Sequence, residues 1–330
     1  MNLGTTGIRV SQVILGCGNF GGIGSAPEFY GRGETEEEAF ALMDRAFELG
    51  INVFDTADAY GGGRSEAMIG KWLKARGASV RDQILVSSKV FNPVGEGPND
   101  WGLSRRHIRR QVETSLRRLG VETLDLYLIH EPDPTTPLEE TLSVLSDLVH
   151  AGKIHYIGAS NVPAELIKSS LGVAAAGGME SFRWIQNPFS LLERDDEREV
   201  LPLCEEAGLG YTPFSPLAGG LLTGKYRLNE DYPDGSRLAT RPEPYLDHLN
   251  EATFDRLRRL GEIAGEYDVS SAGMALAWVM SHPNVTAPIV GPRRPGHFAA
   301  VEEAISLNLG SDDRVKLSRL FAKERPSNAT

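Results

Sequence analysis

The sequence has few residues of the kinds that form disulfides or bind metal ions. Only two of its 330 residues are cysteines, Cys17 and Cys204, and they lie far apart outside any CxxC pair. The seven histidines form neither an HxH nor an HExxH pair. These absences argue against a disulfide framework, a thiolate metal site and a metal-dependent barrel hydrolase.

Long apolar runs and clustered positive charges are also lacking. No run approaches the roughly 20 apolar residues that span a bilayer, and the N-terminus lacks the basic and apolar regions of a signal peptide. Lysine and arginine number 34 against 45 acidic residues, a formal net charge of −11. Because binding nucleic acid needs clustered cations, we expect no nucleic-acid partner. Because an apolar span and a signal peptide are lacking, we expect a cytoplasmic protein without a membrane partner. Its oligomeric state stays open.

Short apolar runs alternate with amphipathic stretches along the whole chain. Residues 3–10 predict a small hairpin that turns at Thr5-Thr6-Gly7. Eight strands are then predicted, at residues 13–15, 52–55, 84–88, 124–129, 154–159, 183–186, 209–213 and 287–290. Helices are predicted between and after them, at residues 35–49, 65–76, 104–119, 138–150, 163–176, 195–207, 270–281 and 311–323.

This alternation predicts the fold. Strands that alternate with helices imply a parallel sheet covered by helices, and eight such units favour a closed barrel over an open, doubly wound sheet. We therefore predict a single α/β domain over residues 1–330, a (β/α)₈ TIM barrel. The N-terminal hairpin is expected to cap the barrel bottom, with the active site at the carboxyl ends of the strands.

Two loop segments stand out. Residues 223–250 break the alternation and are rich in Pro, Asp and Arg; because long loops in compact domains are usually functional, we predict a cofactor or substrate loop there. Residues 16–21 match the GxGxxG dinucleotide fingerprint, but in that motif the third glycine opens a helix. Here Gly22 to Pro27 continue a glycine-rich loop and start no helix. We therefore interpret the glycines as marking a loop whose backbone approaches a ligand closely.

Three ionisable residues come at the ends of apolar strand runs. Asp55 ends the second predicted strand, Lys89 follows the third and His130 follows the fourth, while Tyr60 lies in the loop after Asp55. Taken singly, each has a structural explanation, such as a solvated strand edge or a rim aromatic. Because adjacent barrel strands bring their carboxyl ends together, we predict one catalytic cluster.

These residues carry a resemblance to a known family. The run Asp55-Thr56-Ala57-Asp58-Ala59-Tyr60-Gly61, followed by Ser65-Glu66, resembles the signature of the aldo-keto reductase superfamily. Lys89 and His130 fall where that family has its other two catalytic residues, and the likeness extends to about residue 305. The resemblance implies an NAD(P)H-dependent oxidoreductase that reduces an aldehyde or ketone to an alcohol.

The resemblance also implies how the four residues share the chemistry. A nicotinamide supplies the hydride, because no side chain can, and Tyr60 supplies the proton as general acid. Lys89, paired with Asp55, is expected to lower the tyrosine pKa from its ordinary value of about 10. His130 is expected to orient the carbonyl oxygen by hydrogen bonding.

The cofactor implied is NADP(H), with NAD(H) as the alternative. Arg293 and Arg294 follow the last strand, and guanidinium groups pair well with a 2′-phosphate. In the family, Ser160, Asn161 and Gln186 match carboxamide-binding positions. The whole cofactor-binding set that follows with this resemblance is Gly18, Asn19, Phe20, Asp55, Ser160, Asn161, Gln186, Phe214, Ser215, Pro216, Leu217, Gly219, Gly220, Lys225, Gly291, Arg293 and His297.

The substrate is expected to be a small carbonyl compound or alcohol. Its predicted pocket has an aromatic lining with some polar groups: Phe20, Tyr30, Tyr60, Trp101, His130 and Glu131. This lining leaves aldehydes, ketones, sugars and ketosteroids open, and it leaves the direction of the reaction open. One alternative function is a nicotinamide-bound regulatory subunit with slow turnover, as in the channel-associated members of the family.

Overall fold

The computed structural model describes residues 1–322, and the chain divides into two compact units. The first unit consists of Met1–Asn187, Asp196–Phe214 and Asn284–Phe298. The second consists of Pro188–Asp195, Ser215–Pro283 and the chain from Ala299 onward. A single domain over the whole chain stays a prediction.

The first unit contains a closed parallel barrel. Its strands are β1 (Ile14–Gly16), β2 (Val53–Asp55), β3 (Leu85–Val90), β4 (Leu124–Ile129), β5 (Ile154–Ser160), β6 (Trp184–Gln186), β7 (Gly210–Tyr211) and β8 (Ile289–Val290). Strands β1 to β6 each pair with the next strand in the chain, and β1 also pairs with β8. Between β7 and β8, the Ile289 N–H donates to the Pro213 carbonyl at 2.7 Å, and the Thr286 N–H donates to the Tyr211 carbonyl at 2.8 Å. The predicted (β/α)₈ barrel is confirmed.

Helices alternate with the strands in the first unit, and the second unit consists of helices and loops within the described residues. The first unit has α1 (Glu36–Glu48), α2 (Arg64–Arg76), α3 (Ala78–Arg81), α4 (Arg105–Leu119), α5 (Leu138–His150), α6 (Ala164–Gly177) and α7 (Val200–Ala207). The second has α8 (Arg237–Thr240), α9 (Glu251–Glu266), α10 (Ser271–Met280), α11 (Ala299–Ser306) and α12 (Ser311–Leu320). The predicted last helix ended at residue 323, which lies outside the described residues. No helix within residues 1–322 is long and apolar enough to cross a membrane.

Local sequence signals explain where several helices begin. Thr35 forms a capping box with Glu38 at the start of α1, which satisfies two backbone donors at once. Ser104 accepts a hydrogen bond from the backbone N–H of His107 at the start of α4. Helix α9 was not predicted from the sequence, although Leu257 and Leu260 form part of its buried face.

The N-terminal hairpin closes the bottom of the barrel. The Leu3 N–H donates to the Ile8 carbonyl at 3.0 Å, and Leu3 is only 1% exposed within a buried cluster of strand residues that includes Trp184. Gly4 has a φ of 51°, and a Cβ there would lie 2.6 Å from the Gly210 nitrogen at the start of β7. Only glycine fits so close to the strand, so the hairpin is seated as predicted.

The second unit has its own core around Trp278 of α10. This side chain is fully buried and stacks on Phe189 with ring centroids 5.3 Å apart. Its Nε1 donates to the Arg314 carbonyl at 3.2 Å and to Ser318 Oγ at 3.0 Å, both on α12. Within residues 223–250, Tyr226 is buried and its Oη donates to the Gly219 carbonyl at 3.2 Å. This segment is therefore folded rather than a structureless loop.

We expect Leu3→Ala to lower the free energy of unfolding by about 2–5 kcal/mol, because it leaves a cavity where the hairpin meets the barrel. The matched control is Leu246→Ala, at a leucine that is 57% exposed, which should change stability by about 0.5 kcal/mol or less. Urea unfolding followed by circular dichroism measures both. Equal losses in the two variants would contradict the seating of the hairpin.

Candidate active site

A buried ion pair lies at the carboxyl end of the barrel strands. Lys89 is fully buried, and its Nζ donates to Asp55 Oδ2 at 2.5 Å and to the Thr56 carbonyl at 2.9 Å. The other carboxylate oxygen, Asp55 Oδ1, accepts from Ser87 Oγ at 2.9 Å and from Gln186 Nε2 at 3.0 Å. Both oxygens of the carboxylate are therefore satisfied, as a buried charge requires.

The charge of Lys89 is maintained by its neighbours. Burial by itself lowers the pKa of Lys89, but the charge of Asp55, the nearby Tyr60 and their hydrogen bonds outweigh it and raise that pKa above its ordinary value. An opposite charge at this distance favours the protonated amine. Lys89 is therefore a cation at neutral pH.

Tyr60 places its hydroxyl between the lysine and the histidine. Lys89 Nζ donates to Tyr60 Oη at 3.5 Å, and His130 Nε2 lies 3.3 Å from the same oxygen. After Tyr60 the chain turns sharply through Gly61 and Gly62, whose φ values are 58° and 69°. This turn ends the loop after β2 and leads into α2, so the phenol is held at the strand ends.

The pKa of Tyr60 corrects one prediction. Burial raises this pKa, and the Lys89 charge lowers it by less, so it lies above the ordinary value of a tyrosine. The expectation of a lowered pKa was wrong in its net direction, because the desolvation of the phenol was not visible in the sequence. Tyr60 consequently keeps its proton at neutral pH.

His130 is buried and follows β4 directly. The backbone N–H of His130 donates to the Val90 carbonyl at 2.9 Å, and the backbone carbonyl of His130 accepts from Asn161 Nδ2 at 3.0 Å. Burial, and then the charge of Lys89, hold the pKa of the imidazole well below its ordinary value. The ring is therefore neutral and offers one N–H donor and one acceptor nitrogen.

The three predicted carboxamide-binding residues lie together at the ends of β5 and β6. Ser160 Oγ donates to the Gln186 carbonyl at 2.7 Å, and Asn161 Nδ2 donates to Ser160 Oγ at 3.2 Å. Asn161 has a φ of 56°, in the left-handed region where a residue other than glycine is strained. Strain of this kind is concentrated at functional sites.

The glycine-rich loop after β1 also reaches the tyrosine. A Cβ at Gly18 would lie 3.5 Å from Tyr60 Cε2, so the backbone of Gly18 is close to the ring. Asn19 accepts from the Glu34 N–H at 2.9 Å through its carbonyl, and Phe20 is buried. At the end of β7, Phe214 is half-buried against the barrel core.

The predicted phosphate-binding residues after β8 form a connected group. Arg293 Nε donates to Glu34 Oε1 at 2.8 Å, and Glu34 is only 3% exposed. The backbone N–H of Arg293 lies 3.2 Å from His297 Nδ1, and Arg294 Nε lies 3.0 Å from His297 Nε2; a neutral imidazole accepts at only one of these nitrogens. A Cβ at Gly291 would meet no atom within 4 Å, so space remains beside that residue.

The second unit holds the other predicted cofactor residues, Ser215, Pro216, Leu217, Gly219, Gly220 and Lys225. Ser215 and Ala218 have φ values of 53° and 45°, and Gly219 and Gly220 have values of 62° and 92°. Left-handed residues in a short loop turn backbone N–H groups toward one side, and such concave nests bind anions. Lys225 places its Nζ 4.9 Å from the Tyr226 ring centroid.

The predicted substrate residues Tyr30, Trp101 and Glu131 all lie in the first unit. Tyr30 lies against Gly62, where a Cβ would be 3.0 Å from the tyrosine Cε2. Trp101 is 41% exposed and contacts Phe91 edge to face, with ring centroids 6.0 Å apart. Burial raises the pKa of Glu131, which is half-buried directly after His130. Their grouping into one substrate pocket stays a prediction.

Three further polar residues, which were not predicted from the sequence, contact predicted site residues. Asn92 Nδ2 lies 2.9 Å from His130 Nδ1, Ser87 donates to Asp55, and Glu34 pairs with Arg293. Ser87 shares a face of β3 with Lys89, two residues on, and Asn92 follows the same strand, so the strand-end rule could have found both. Glu34 had no local signal, because its partner is 259 residues away.

Comparison with known proteins identifies the family. The model of the aldo/keto reductase family matches residues 12–320. The chain is 36% identical over 328 residues to an uncharacterized oxidoreductase of Bacillus subtilis, YrpG, covering 97% of this chain and 94% of that protein. It is 35% identical to versiconal hemiacetal acetate reductase of Aspergillus parasiticus, covering 88% and 87%. The chain belongs to the aldo/keto reductase family.

A third relative has a name of a different kind. The chain is 36% identical over 311 residues to a protein of Oryza sativa subsp. japonica named "probable voltage-gated potassium channel subunit beta", covering 93% of this chain and 90% of that one. The family and its oxidoreductase relatives identify this protein as an NAD(P)H-dependent oxidoreductase.

We expect Asp55→Asn to lower the free energy of unfolding by about 3–5 kcal/mol at pH 7, because it leaves the buried Lys89 cation unpaired. The raised pKa of Lys89 means that the pair stabilises the fold fully below the unfolded pKa of about 10.4 and is lost as the pH rises through the folded value.

The double variant Asp55→Asn/Lys89→Met removes the cation as well and should recover part of this loss. Urea unfolding of the parent, both single variants and the double variant gives the coupling energy between the two residues. Strictly additive losses would contradict a coupled pair.

Proposed function

We propose that this protein reduces the carbonyl group of a small aldehyde or ketone to an alcohol, with NADPH as hydride donor and Tyr60 as general acid. One observation supports the proposal above all others. The protonated Tyr60 hydroxyl lies between the Lys89 cation, at 3.5 Å, and the neutral His130 ring, at 3.3 Å. This is the arrangement that a carbonyl oxygen requires when it gains negative charge and then a proton.

The four residues divide the work. A carbonyl oxygen beside Tyr60 Oη accepts its hydrogen bond and later its proton. His130 donates a second hydrogen bond, which orients the oxygen, and Lys89 stabilises the negative charge left on the phenol. Asp55 keeps Lys89 protonated and fixed in place through its 2.5 Å contact. The bound nicotinamide supplies the hydride.

The residues present fit a nicotinamide cofactor. Asn161 already donates through Nδ2 to the His130 carbonyl and to Ser160 Oγ, and its Oδ1 remains an acceptor for a carboxamide N–H. Its left-handed φ of 56° and its backbone hydrogen bond to the Gln186 carbonyl at 3.2 Å hold the residue in this place. In the second unit, the left-handed turns from Ser215 to Gly224 and the Lys225 ammonium suit a pyrophosphate.

The preference for NADPH over NADH is proposed from the cations after β8. Arg293 and Arg294 are neighbours in the chain, and contacts with Glu34 and His297 orient their Nε atoms. Fixed guanidinium groups bind a phosphate better than mobile ones, because less side-chain entropy is lost on binding. We propose that this pair grips the 2′-phosphate of the adenosine.

A second candidate function is supported by one comparison. The similarity to proteins named as potassium channel beta subunits favours a regulatory subunit that holds its nicotinamide and turns over slowly. The measurement that separates the two candidates is the steady-state kcat with a panel of carbonyl substrates. A kcat far below about 1 s⁻¹ with every substrate favours the regulatory subunit, because typical enzymes reach 1–10³ s⁻¹.

We expect Tyr60→Phe to lower kcat for carbonyl reduction by about 10²–10⁴, because only the proton donor is removed. The dissociation constant for NADPH should stay within a few-fold of the parent value, since the aromatic ring remains. Single-turnover kinetics and fluorescence titration with NADPH measure the two quantities. A variant that kept most of its kcat would show that Tyr60 is not the acid.

We expect Arg293→Ala to raise KM for NADPH by an amount that corresponds to about 1.5–3 kcal/mol and to leave KM for NADH nearly unchanged. The control is Glu34→Gln, which keeps the arginine and removes only its carboxylate partner, and which should retain the NADPH preference. If Arg293→Ala raised KM for both cofactors equally, the phosphate contact would be refuted.

A further inference from the structure

We propose that Asn92 is a positioning residue that fixes the tautomer of His130. The inference rests on the proposed function and concerns how the histidine presents its N–H to a substrate. Asn92 Nδ2 lies 2.9 Å from His130 Nδ1, on the side of the ring opposite Tyr60. The other ring nitrogen, Nε2, lies 3.3 Å from Tyr60 Oη. The two neighbours therefore contact different nitrogens of one neutral ring.

The backbone holds Asn92 at a defined place beside β3. The carbonyl of Val90, the last residue of β3, accepts a hydrogen bond from the backbone N–H of His130 at 2.9 Å. This bond joins the end of β3 to the end of β4 next to the side chains of Asn92 and His130. Phe91 accepts the Gly102 N–H at 2.8 Å through its carbonyl. Because hydrogen bonds fix the two residues before it, Asn92 has little freedom to move away from the imidazole.

The donor inventory of the two side chains determines the tautomer. A neutral imidazole carries one N–H and one acceptor nitrogen, and His130 is neutral because burial and Lys89 lower its pKa. The Asn92 amide NH₂ only donates, so Nδ1 must accept. The proton is consequently on Nε2, the nitrogen that faces Tyr60.

This tautomer matters for the direction of proton flow. With its proton on Nε2, His130 donates to a carbonyl oxygen beside Tyr60 and supports protonation by the phenol. With the opposite tautomer, Nε2 would accept the Tyr60 hydroxyl hydrogen and compete with the substrate for the proton to be transferred. An aspartate at position 92 would favour that opposite tautomer or the imidazolium, because a carboxylate accepts from Nδ1–H.

The tautomer can be read without an activity assay. The full-length protein labelled with ¹⁵N-histidine is examined by long-range ¹H–¹⁵N correlation NMR, and the His130 signals are identified by their loss in His130→Gln. We expect the Nε2–H tautomer in the parent protein. Asn92→Asp should change it to the Nδ1–H form or to the imidazolium, with a raised His130 pKa. An Nδ1–H tautomer in the parent protein would overturn the proposal.

The kinetic test uses Asn92→Asp and the similarly sized Asn92→Leu, with Asn308→Asp, at an exposed residue of the loop before α12, as the matched charge control. We expect both variants at position 92 to lower kcat by roughly 10- to 100-fold at neutral pH, and the control to leave it unchanged. In Asn92→Asp alone, kcat should recover as the pH falls through the raised His130 pKa, because an imidazolium donates from both nitrogens.

The outcomes distinguish the two proposals. A purely structural role for Asn92 would lower kcat equally in both variants at every pH and leave the tautomer unchanged, which would refute the inference. If the parent protein reduced no carbonyl compound, the proposed function would fail, while the NMR spectra would still decide whether Asn92 fixes the tautomer. Thermal unfolding of each variant identifies any loss that comes from misfolding.

Discussion

The buried ion pair between Asp55 and Lys89 is the constraint on which the candidate site depends. A lysine ammonium inside a barrel is costly unless a carboxylate and further acceptors surround it, and Lys89 has both. Burial lowers the pKa of His130 most, and the positive charge of Lys89 lowers it further. The same charge partly offsets the rise in the pKa of Tyr60 that burial causes. Burial and this cation together keep the imidazole neutral beside a tyrosine that stays protonated.

The barrel holds the buried ion pair in place because backbone hydrogen bonds join the ends of β2, β3 and β4. Asp55 on β2 pairs in register with Ser87 on β3, and Lys89 on β3 pairs with Leu128 on β4. Side chains two residues apart on a strand share a face, so Ser87 and Lys89 both point toward the carboxylate. The polar network is therefore attached to strands that backbone hydrogen bonds join in register.

The sequence predicted the alternation of elements and the four clustered residues well, because both depend on local rules. Apolar runs predict strands, and polar residues at their carboxyl ends predict a site. The prediction from the sequence failed for features that depend on tertiary packing. Helix α9 carries Gly261 and Gly265, which disfavour helices in isolation, so tertiary burial must stabilise it. The direction of the Tyr60 pKa and the partnership of Glu34 with Arg293 likewise depend on contacts that no local pattern reveals.

The seam between β7 and β8 has a consequence for motion. Each strand has only two residues, and Pro213 and Pro288 beside them carry no N–H to add to the ladder. Amide protons along this seam should therefore exchange with solvent faster than those of β3 to β5, since few bonds must break for local opening. The barrel would open at this line first, on the side away from Lys89, so that Phe214 and Gly291 can separate while the ion pair stays intact.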